Sequence, residues 1–532
     1  MDTEIDPDRF NSRRSTVYSQ KGLVSTSQPL AAQAGLRVLR EGGNAFDAAV
    51  TTAAALNVVE PMSTGVGGDA FALYRTADGD VGAMRACGGA PADATRGAVS
   101  DATEGDEMPL RGGLSVTVPG AARGWERIIE DHGRRSLDTV LAPAITYATD
   151  GYPVSEIIAT DWADDVDNLA SSEARDTFTI DGQPPLPGDV MTLPDLGQTL
   201  QTLADNGADA FYEGEIAERI ASTVQQRDGF LTTEDLAEFS AEYVEPVSTS
   251  YRGATVYELP PNNQGLIALE ALNIASELDA GSYAYDSADR VHYFAEALKR
   301  AFHDGHQYIT DPDFSTPPPI GSKSYASERA STVGPRAGAV SVGGSGLPEE
   351  DSDTVLLTTA DAEGNVVSFI NSIYGRFGSG IVVPDTGIAL QNRGSSFSLD
   401  PDHPNCIEPK KRPFHTLIPG LVQFDDDDWA AFGVMGGYMQ PQGHLQVLSN
   451  MLDYQMPLQA ALDAPRWRYL EDGSLAVEER LSGTMLAKLT RRGHDITVLP
   501  PREFGGAQIT RCRNGVLSGA TEPRKDGSSV GF

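Results

Sequence analysis

Gly334-Pro-Arg-Ala-Gly-Ala-Val-Ser-Val-Gly-Gly-Ser-Gly-Leu-Pro-Glu-Glu-Asp-Ser-Asp353 runs without interruption into Thr354-Val-Leu-Leu-Thr-Thr-Ala360. The first stretch is Gly, Ser, Pro and acid, with too little apolar surface to offset the entropy of ordering it, and predicts a mobile surface loop. The second is β-branched and apolar. Asp361-Ala-Glu-Gly-Asn365 then reads as a turn and Val366-Val-Ser-Phe-Ile-Asn-Ser-Ile373 as a returning strand. Thr354 thus stands where an acidic loop meets a buried hairpin. A threonine hydroxyl is a weak nucleophile without an adjacent base. Cutting the Asp353–Thr354 bond would give Thr354 an α-amine, whose ordinary pKa is roughly 7.7–8.0. That amine can take the hydroxyl proton and return it to a leaving group. Threonine also commonly opens strands, so the local pattern leaves both readings open.

Outward from the junction, Trp429 to Met435 reads as a strand, followed by Gly436-Gly437 and a helix from about Gln440. Backbone N–H groups at such a turn can face developing negative charge. A tight turn alone would explain the same glycines. Gly65-Val-Gly-Gly-Asp69 lacks the G-x-G-x-x-G spacing of a dinucleotide site and follows a helical stretch, so it reads as a structural turn before the strand Ala70–Tyr74. His303-Asp-Gly-His306 has no third ligand pattern and reads as surface or capping groups; no metal and no cofactor are expected. Ser27 and Ser287 are the expected N-caps of helices reaching Leu39 and spanning Ala288 to His303. Asp47 to Val59 is Ala-rich and nearly uncharged, a buried helix, and Leu266 to Leu278 has helical spacing.

The chain has 532 residues, with 76 acidic against 40 Lys plus Arg and a formal net charge of −36. Such a surface repels nucleic acids and anionic membranes, excluding both as partners. Its few lysines (Lys21, Lys299, Lys323, Lys410, Lys411, Lys488 and Lys525) and its acid excess fit a protein kept hydrated in concentrated salt. Three widely spaced cysteines make no disulfide framework, and the N-terminal residues lack a signal-peptide pattern; a cytoplasmic protein is expected. Composition is even throughout, predicting one continuous domain.

Ordered blocks along the chain resemble the gamma-glutamyltransferase family: Gly22-Leu-Val-Ser-Thr-Ser-Gln-Pro-Leu-Ala, Gly42-Gly-Asn-Ala-Phe-Asp-Ala-Ala, Val59-Glu-Pro, Gly65-Val-Gly-Gly-Asp, Val118-Pro-Gly120, Tyr251-Arg-Gly253, Pro260-Pro261, Phe377-Gly-Ser-Gly-Ile381 and Met435-Gly-Gly437. The resemblance implies an α+β fold, the four-layer αββα sandwich of the N-terminal nucleophile hydrolases. It implies self-cleavage between Asp353 and Thr354, giving chains 1–353 and 354–532 that stay together as a heterodimer, with 334–353 as the processing loop. Thr354 would attack an amide of a small-molecule substrate, and water or an amine would resolve the acyl-enzyme. Gly436 and Gly437 fall where the family has its oxyanion hole, and Ser372 where a family threonine bonds the nucleophile's amine.

The departures concern substrate. The family arginine that takes an α-carboxylate is represented by Arg85, displaced by about two positions. No acid follows Leu390-Gln-Asn-Arg-Gly, His415 and Thr416 stand in for paired serines, Tyr374 replaces an asparagine, and Val355 replaces a second threonine. Arg393 offers a planar, bidentate carboxylate partner, and Asn392-Arg-Gly with Pro413-Phe-His-Thr is similar to the oxamate amidohydrolase and glutaryl acylase branch. Arg393, Asn392, Tyr374, His415, Thr416 and Arg85 are therefore the candidate substrate contacts. The alternatives are a true gamma-glutamyl transferase or glutathione hydrolase and, in another class, an unprocessed non-enzymatic binding protein.

Overall fold

A computed structural model describes residues 14–103, 105–340 and 354–532. Residues 341–353, and with them Asp353, lie outside the described residues. Val355–Asp361 and Val366–Ser372 form the expected antiparallel hairpin. Its turn is tied by Asp361, whose Oδ1 accepts the N–H groups of Glu363 and Asn365. Every residue of both strands is buried, and the alternation of a pleated strand explains how. Val355 and Leu357 face a helical layer, whereas Leu356 and Ala360 face a second sheet.

The hairpin is the centre of a seven-stranded antiparallel sheet. In spatial order its strands are Ser528–Gly531, Gly22–Thr26, Val355–Asp361, Val366–Ser372, Asp69–Arg75, Val81–Ala86 and Glu242–Val244. A second antiparallel sheet of seven strands runs Val17–Ser19, Val516–Thr521, Gly506–Arg513, Asp428–Met435, Gly420–Asp425, Ala254–Glu258, Val247–Tyr251. The two sheets share a core of Leu23, Phe71, Leu73, Leu356, Ile370, Leu421, Ala431, Met435 and Leu517. Helices Ala45–Val59 and Ala121–His132 cover the first sheet, and Leu137–Asp150 packs behind Ala45–Val59. Gly265–Glu277 and Met439–Leu452 cover the second, and Ala288–Tyr308 packs behind Gly265–Glu277. The layers are αββα, each sheet buried on both faces.

All fifteen residues of Ala45–Val59 are buried, as its nearly uncharged sequence predicts, and Asn44 with Asp47 closes a capping box at its start. Two local expectations change. Gln28, not Ser27, caps Pro29–Arg40, accepting from Leu30 N and Ala31 N. Ser27 instead donates to the buried Glu60 carboxylate at 2.6 Å; satisfying a buried acid outweighs a cap the neighbouring amide can supply. The helix from Ala288 passes His303 and ends at Tyr308. Gly305 lets it lie against the neighbouring helix, where a Cβ would meet Ile267 Cγ1 at 2.3 Å. His306 is accordingly buried, not a surface group, among Phe302, Phe414 and Tyr438. Burial drives its pKa down to about 3, so it is neutral.

The start of the expected mobile loop is docked. Gly334 O accepts from His292 Nε2 at 2.9 Å, Pro335 O from Arg492 at 3.0 Å, and Gly338 N donates to Glu296 at 3.2 Å. Backbone polar groups, not apolar side chains, make these contacts, which is why composition does not reveal them.

Candidate active site at the Thr354 junction

Thr354 is buried at the head of the central strand, and its Oγ1 donates to Ser372 Oγ at 3.2 Å. Thr354 shares the face of Leu356 and Thr358, the face toward the second sheet. Thr358 Oγ1 meets Thr510 Oγ1 at 2.8 Å, and Thr510 pairs with Ala431. Leu356 fills the space over Gly433, where a Cβ would meet its Cδ2 at 2.8 Å. Another two-residue step along both strands brings Thr354 over Met435-Gly436. There Gly436 (φ 106°) and Gly437 (φ 50°) break the strand in backbone conformations that L side chains rarely adopt, and Met439–Leu452 begins. Backbone N–H groups at a glycine turn of this kind can face developing negative charge.

A ring of polar groups continues from Ser372. Its Oγ accepts the N–H of Tyr374 at 2.9 Å, and Tyr374 carries a φ of 77°. The Arg393 guanidinium lies 3.9 Å from the Tyr374 ring centroid and donates to Thr416 Oγ1 at 2.9 Å; both side chains are buried. Gln264 Nε2 donates to Thr416 O at 2.6 Å and Gly437 O at 3.0 Å, joining the arginine side of the site to the glycine turn.

His415 and Asp69 close the ring. Leu417 N donates to His415 Nδ1 at 3.2 Å, so Nε2 carries the hydrogen and donates to Asp69 Oδ2 at 3.1 Å. Burial holds the His415 pKa well below its ordinary value, and Arg393 and Arg85 push the same way. Asp69 pairs directly with Ser372 across the sheet, which puts the two side chains on one face. It was expected to end a structural turn. It is instead a wholly buried acid in the site, with Oδ1 accepting from Gln391 Nε2 at 3.0 Å and Gly120 N at 3.1 Å. Burial pushes its carboxyl up to about 8 while Arg393, Gln391 and Gly120 pull against the rise. The one sequence signal was an acid inside a glycine run, which short turns also produce.

Two other expected contacts are engaged within the protein. Arg85 donates to Pro261 O at 2.8 Å and Asn262 Oδ1 at 3.3 Å, and pairs with Glu242 at 3.2 Å. Asn392 Oδ1 accepts from Gly375 N at 2.8 Å and its Nδ2 donates to Leu110 O at 2.8 Å. Both brace the loops that carry His415 and Arg393. Away from the site, His292, Glu296 and His494 bring ligand-type atoms within 4.8 Å of one another. Glu296 is already paired with Lys299 at 3.0 Å and Arg300 at 2.9 Å, and His292 Nδ1 accepts from His494 at 2.9 Å. With two cations beside it, this cluster serves as the anchor of the 334–338 segment.

The layered fold, with a threonine at the inner edge of its central strand, defines a hydrolase of the N-terminal nucleophile class. Residues 31–532 match the family model described as gamma-glutamyltranspeptidase. The chain is 38% identical to the glutathione hydrolase-like YwrD proenzyme of Bacillus subtilis, covering 97% of this chain and 99% of that protein. It is 36% identical to the oxamate amidohydrolase proenzyme of Klebsiella pneumoniae, over 97% of this chain and 100% of that one. The crystal structure of a cephalosporin acylase from Bacillus halodurans superposes with a TM-score of 0.91 at 43% identity, covering 100% of this chain and 99% of the other. The chain belongs to the gamma-glutamyltranspeptidase family and is an amide hydrolase or acyltransferase of that family.

Proposed function

We propose that the chain cuts itself between Asp353 and Thr354, and that Thr354 then serves as nucleophile and, through its freed amine, as general base toward a small amide bearing a carboxylate on its acyl side. The hydroxyl-to-hydroxyl bond from buried Thr354, at the head of the central strand, to Ser372 is the observation that carries this reading. Ser372 fixes the hydroxyl, the glycine N–H groups receive the oxyanion, and Arg393, seated on Tyr374 and tied to Thr416, takes the substrate carboxylate. Water or an acceptor amine releases the acyl group. The halves 1–353 and 354–532 remain one heterodimer, because each sheet is built of hydrogen-bonded strands from both sides of the junction.

Intact mass of the purified protein beside Thr354→Ala tests the mechanism. Two chains with Thr354 as a new N-terminus are expected for the wild type and one full-length chain for the variant. A wild type that stays whole defeats the reading and leaves the unprocessed binding protein. Rates on glutaryl, oxamate and gamma-glutamyl amides separate the carboxylate-acyl reading from glutathione hydrolysis, since no acid follows Arg393 to hold a substrate α-amine in the Gly394–Ser396 stretch.

A further inference from the structure

Gln264 is the N-cap residue of Gly265–Glu277, yet its side chain makes no cap bond to that helix. It is wholly buried, and its Nε2 donates instead to Thr416 O at 2.6 Å and to Gly437 O at 3.0 Å, carbonyls on two separate segments of the site. The amide has one orientation open to it, since turning it over would set Oε1 against both carbonyl oxygens. Oε1 is left buried with no hydrogen-bond partner among the described residues. An unpaired buried amide oxygen costs stability, and a leucine would fill a similar volume without that cost. The glutamine is thus suited to its two carbonyls and not to the packing around it.

Each carbonyl leads to a different task. Thr416 Oγ1 accepts from Arg393 at 2.9 Å. The strip 413–417 that carries Thr416 is laced to 262–264. Asn262 Nδ2 donates to Pro413 O at 2.7 Å, Gln264 N to His415 O at 3.0 Å and Asn263 Nδ2 to Leu417 O at 2.7 Å. Gly437 belongs to the turn, where Gly436 and Gly437 have φ of 106° and 50°. Glycines leave many neighbouring conformations open, so bonds from outside the turn must select one of them. Gly437 O accepts from Gln440 N at 3.1 Å and from Gln264, and the second bond ties the turn to the arginine side.

We infer that Gln264 is a positioning residue that couples occupation of Arg393 to the Gly436-Gly437 turn. An acyl group bearing a carboxylate then reacts faster once bound, and does not only bind more tightly. The inference rests on the proposed roles of Arg393 and of the glycine turn. A carboxylate drawn onto Arg393 fixes the guanidinium and with it Thr416, to which the guanidinium is bonded. Thr416 O holds the Gln264 amide, and the amide holds Gly437 O. The turn then meets the oxyanion already oriented, and less reorganisation is left for the transition state. Binding energy from the remote end of the substrate is in this way expressed in kcat. A neutral acyl group of the same length does not engage Arg393 and gains nothing by this route.

Steady-state kinetics on glutaryl-p-nitroanilide and pentanoyl-p-nitroanilide test the coupling, with intact mass giving the processed fraction to which each rate is normalised. In the wild type, kcat for the glutaryl substrate is expected to exceed that for the pentanoyl one by about tenfold, alongside a lower KM. Gln264→Leu is expected to bring the two kcat values together while the difference in KM stays. Gln264→Met, an unbranched side chain of similar reach, repeats this arm if the leucine variant does not fold or process. Equal kcat values in the wild type overturn the inference without any variant. So does a Gln264 variant that keeps the kcat difference, or one whose kcat falls by the same factor on both substrates, as general structural damage would cause. Arg393→Ala tests the layer beneath: loss of both the KM and the kcat difference is expected. A KM difference that survives Arg393→Ala overturns the reading of Arg393 as the carboxylate partner, and the coupling with it.

Discussion

Ser372 Oγ receives two hydrogen bonds, one from the Thr354 hydroxyl at 3.2 Å and one from Tyr374 N at 2.9 Å. With both lone pairs engaged, it holds the nucleophile and the loop carrying Arg393 in one geometry. Ser372→Ala should lower kcat by about tenfold to a hundredfold with KM little changed, and Ser372→Thr should restore most of the rate. Steady-state kinetics on both variants check this; a loss confined to KM would remove Ser372 from positioning the nucleophile. At this scale the sequence revealed unevenly. Thr354 stands at a composition break, but only the family blocks single it out from other strand-opening threonines. Asp69 was not legible, because its partner His415 lies 346 positions away.

Helices Gly265–Glu277 and Ala288–Tyr308 pack against each other and against Lys323–Ala330. Glu270 is buried between them with Asp304 beside it, and no donor reaches either Glu270 oxygen among the described residues. Arg329 pairs with Asp304 through its Nε at 2.7 Å. Burial first, then hydrogen bonding of the protonated acid to Asp304 and the Asp304 charge, pushes the Glu270 carboxyl up to about 10. The sign follows. The folded state keeps a proton that the unfolded chain loses near about pH 4.3, so Glu270 weakens the fold progressively as pH rises toward 10. Glu270→Gln should therefore melt higher by roughly 2–4 °C at about pH 9 and little differently at about pH 5, measured by thermal scans across pH. A gain that is the same at every pH would mean the carboxyl is ionised in the fold. The helical spacing from Leu266 to Leu278 was readable, but which of its polar residues faces a second helix was not, since this depends on a neighbour that local pattern does not name.

At the scale of the molecule, the formal charge of −36 is spread over a surface whose ion pairs are mostly Arg to acid. Screening removes the self-repulsion that such a surface adds to the folded state. The melting temperature should therefore climb steadily from low to multimolar KCl, and a flat curve would remove salt adaptation as the reason for the acid excess. No described helix is long and apolar enough to cross a membrane. The αββα layering was implied by the resemblance of the ordered blocks to the family, and the sheets bear it out. Chain order alone did not give the strand order, because Ser528–Gly531 and Gly22–Thr26 meet only once the sheet closes.

The sequence by itself determined the hairpin, the helical faces, the glycine turn and the position of Thr354. All of these are properties of residues a few positions apart, fixed by periodicity and backbone sterics. Tertiary structure alone decided that Asp69, Gln391, Arg393, His415 and Thr416 share one buried site, and which of them is bonded to which. Charges separated by hundreds of residues acquire a common low-dielectric environment only after two sheets have closed over them. The raised proton affinity of Asp69, caused by burial and opposed by Arg393, Gln391 and Gly120, is therefore a property of the fold and not of its sequence neighbourhood.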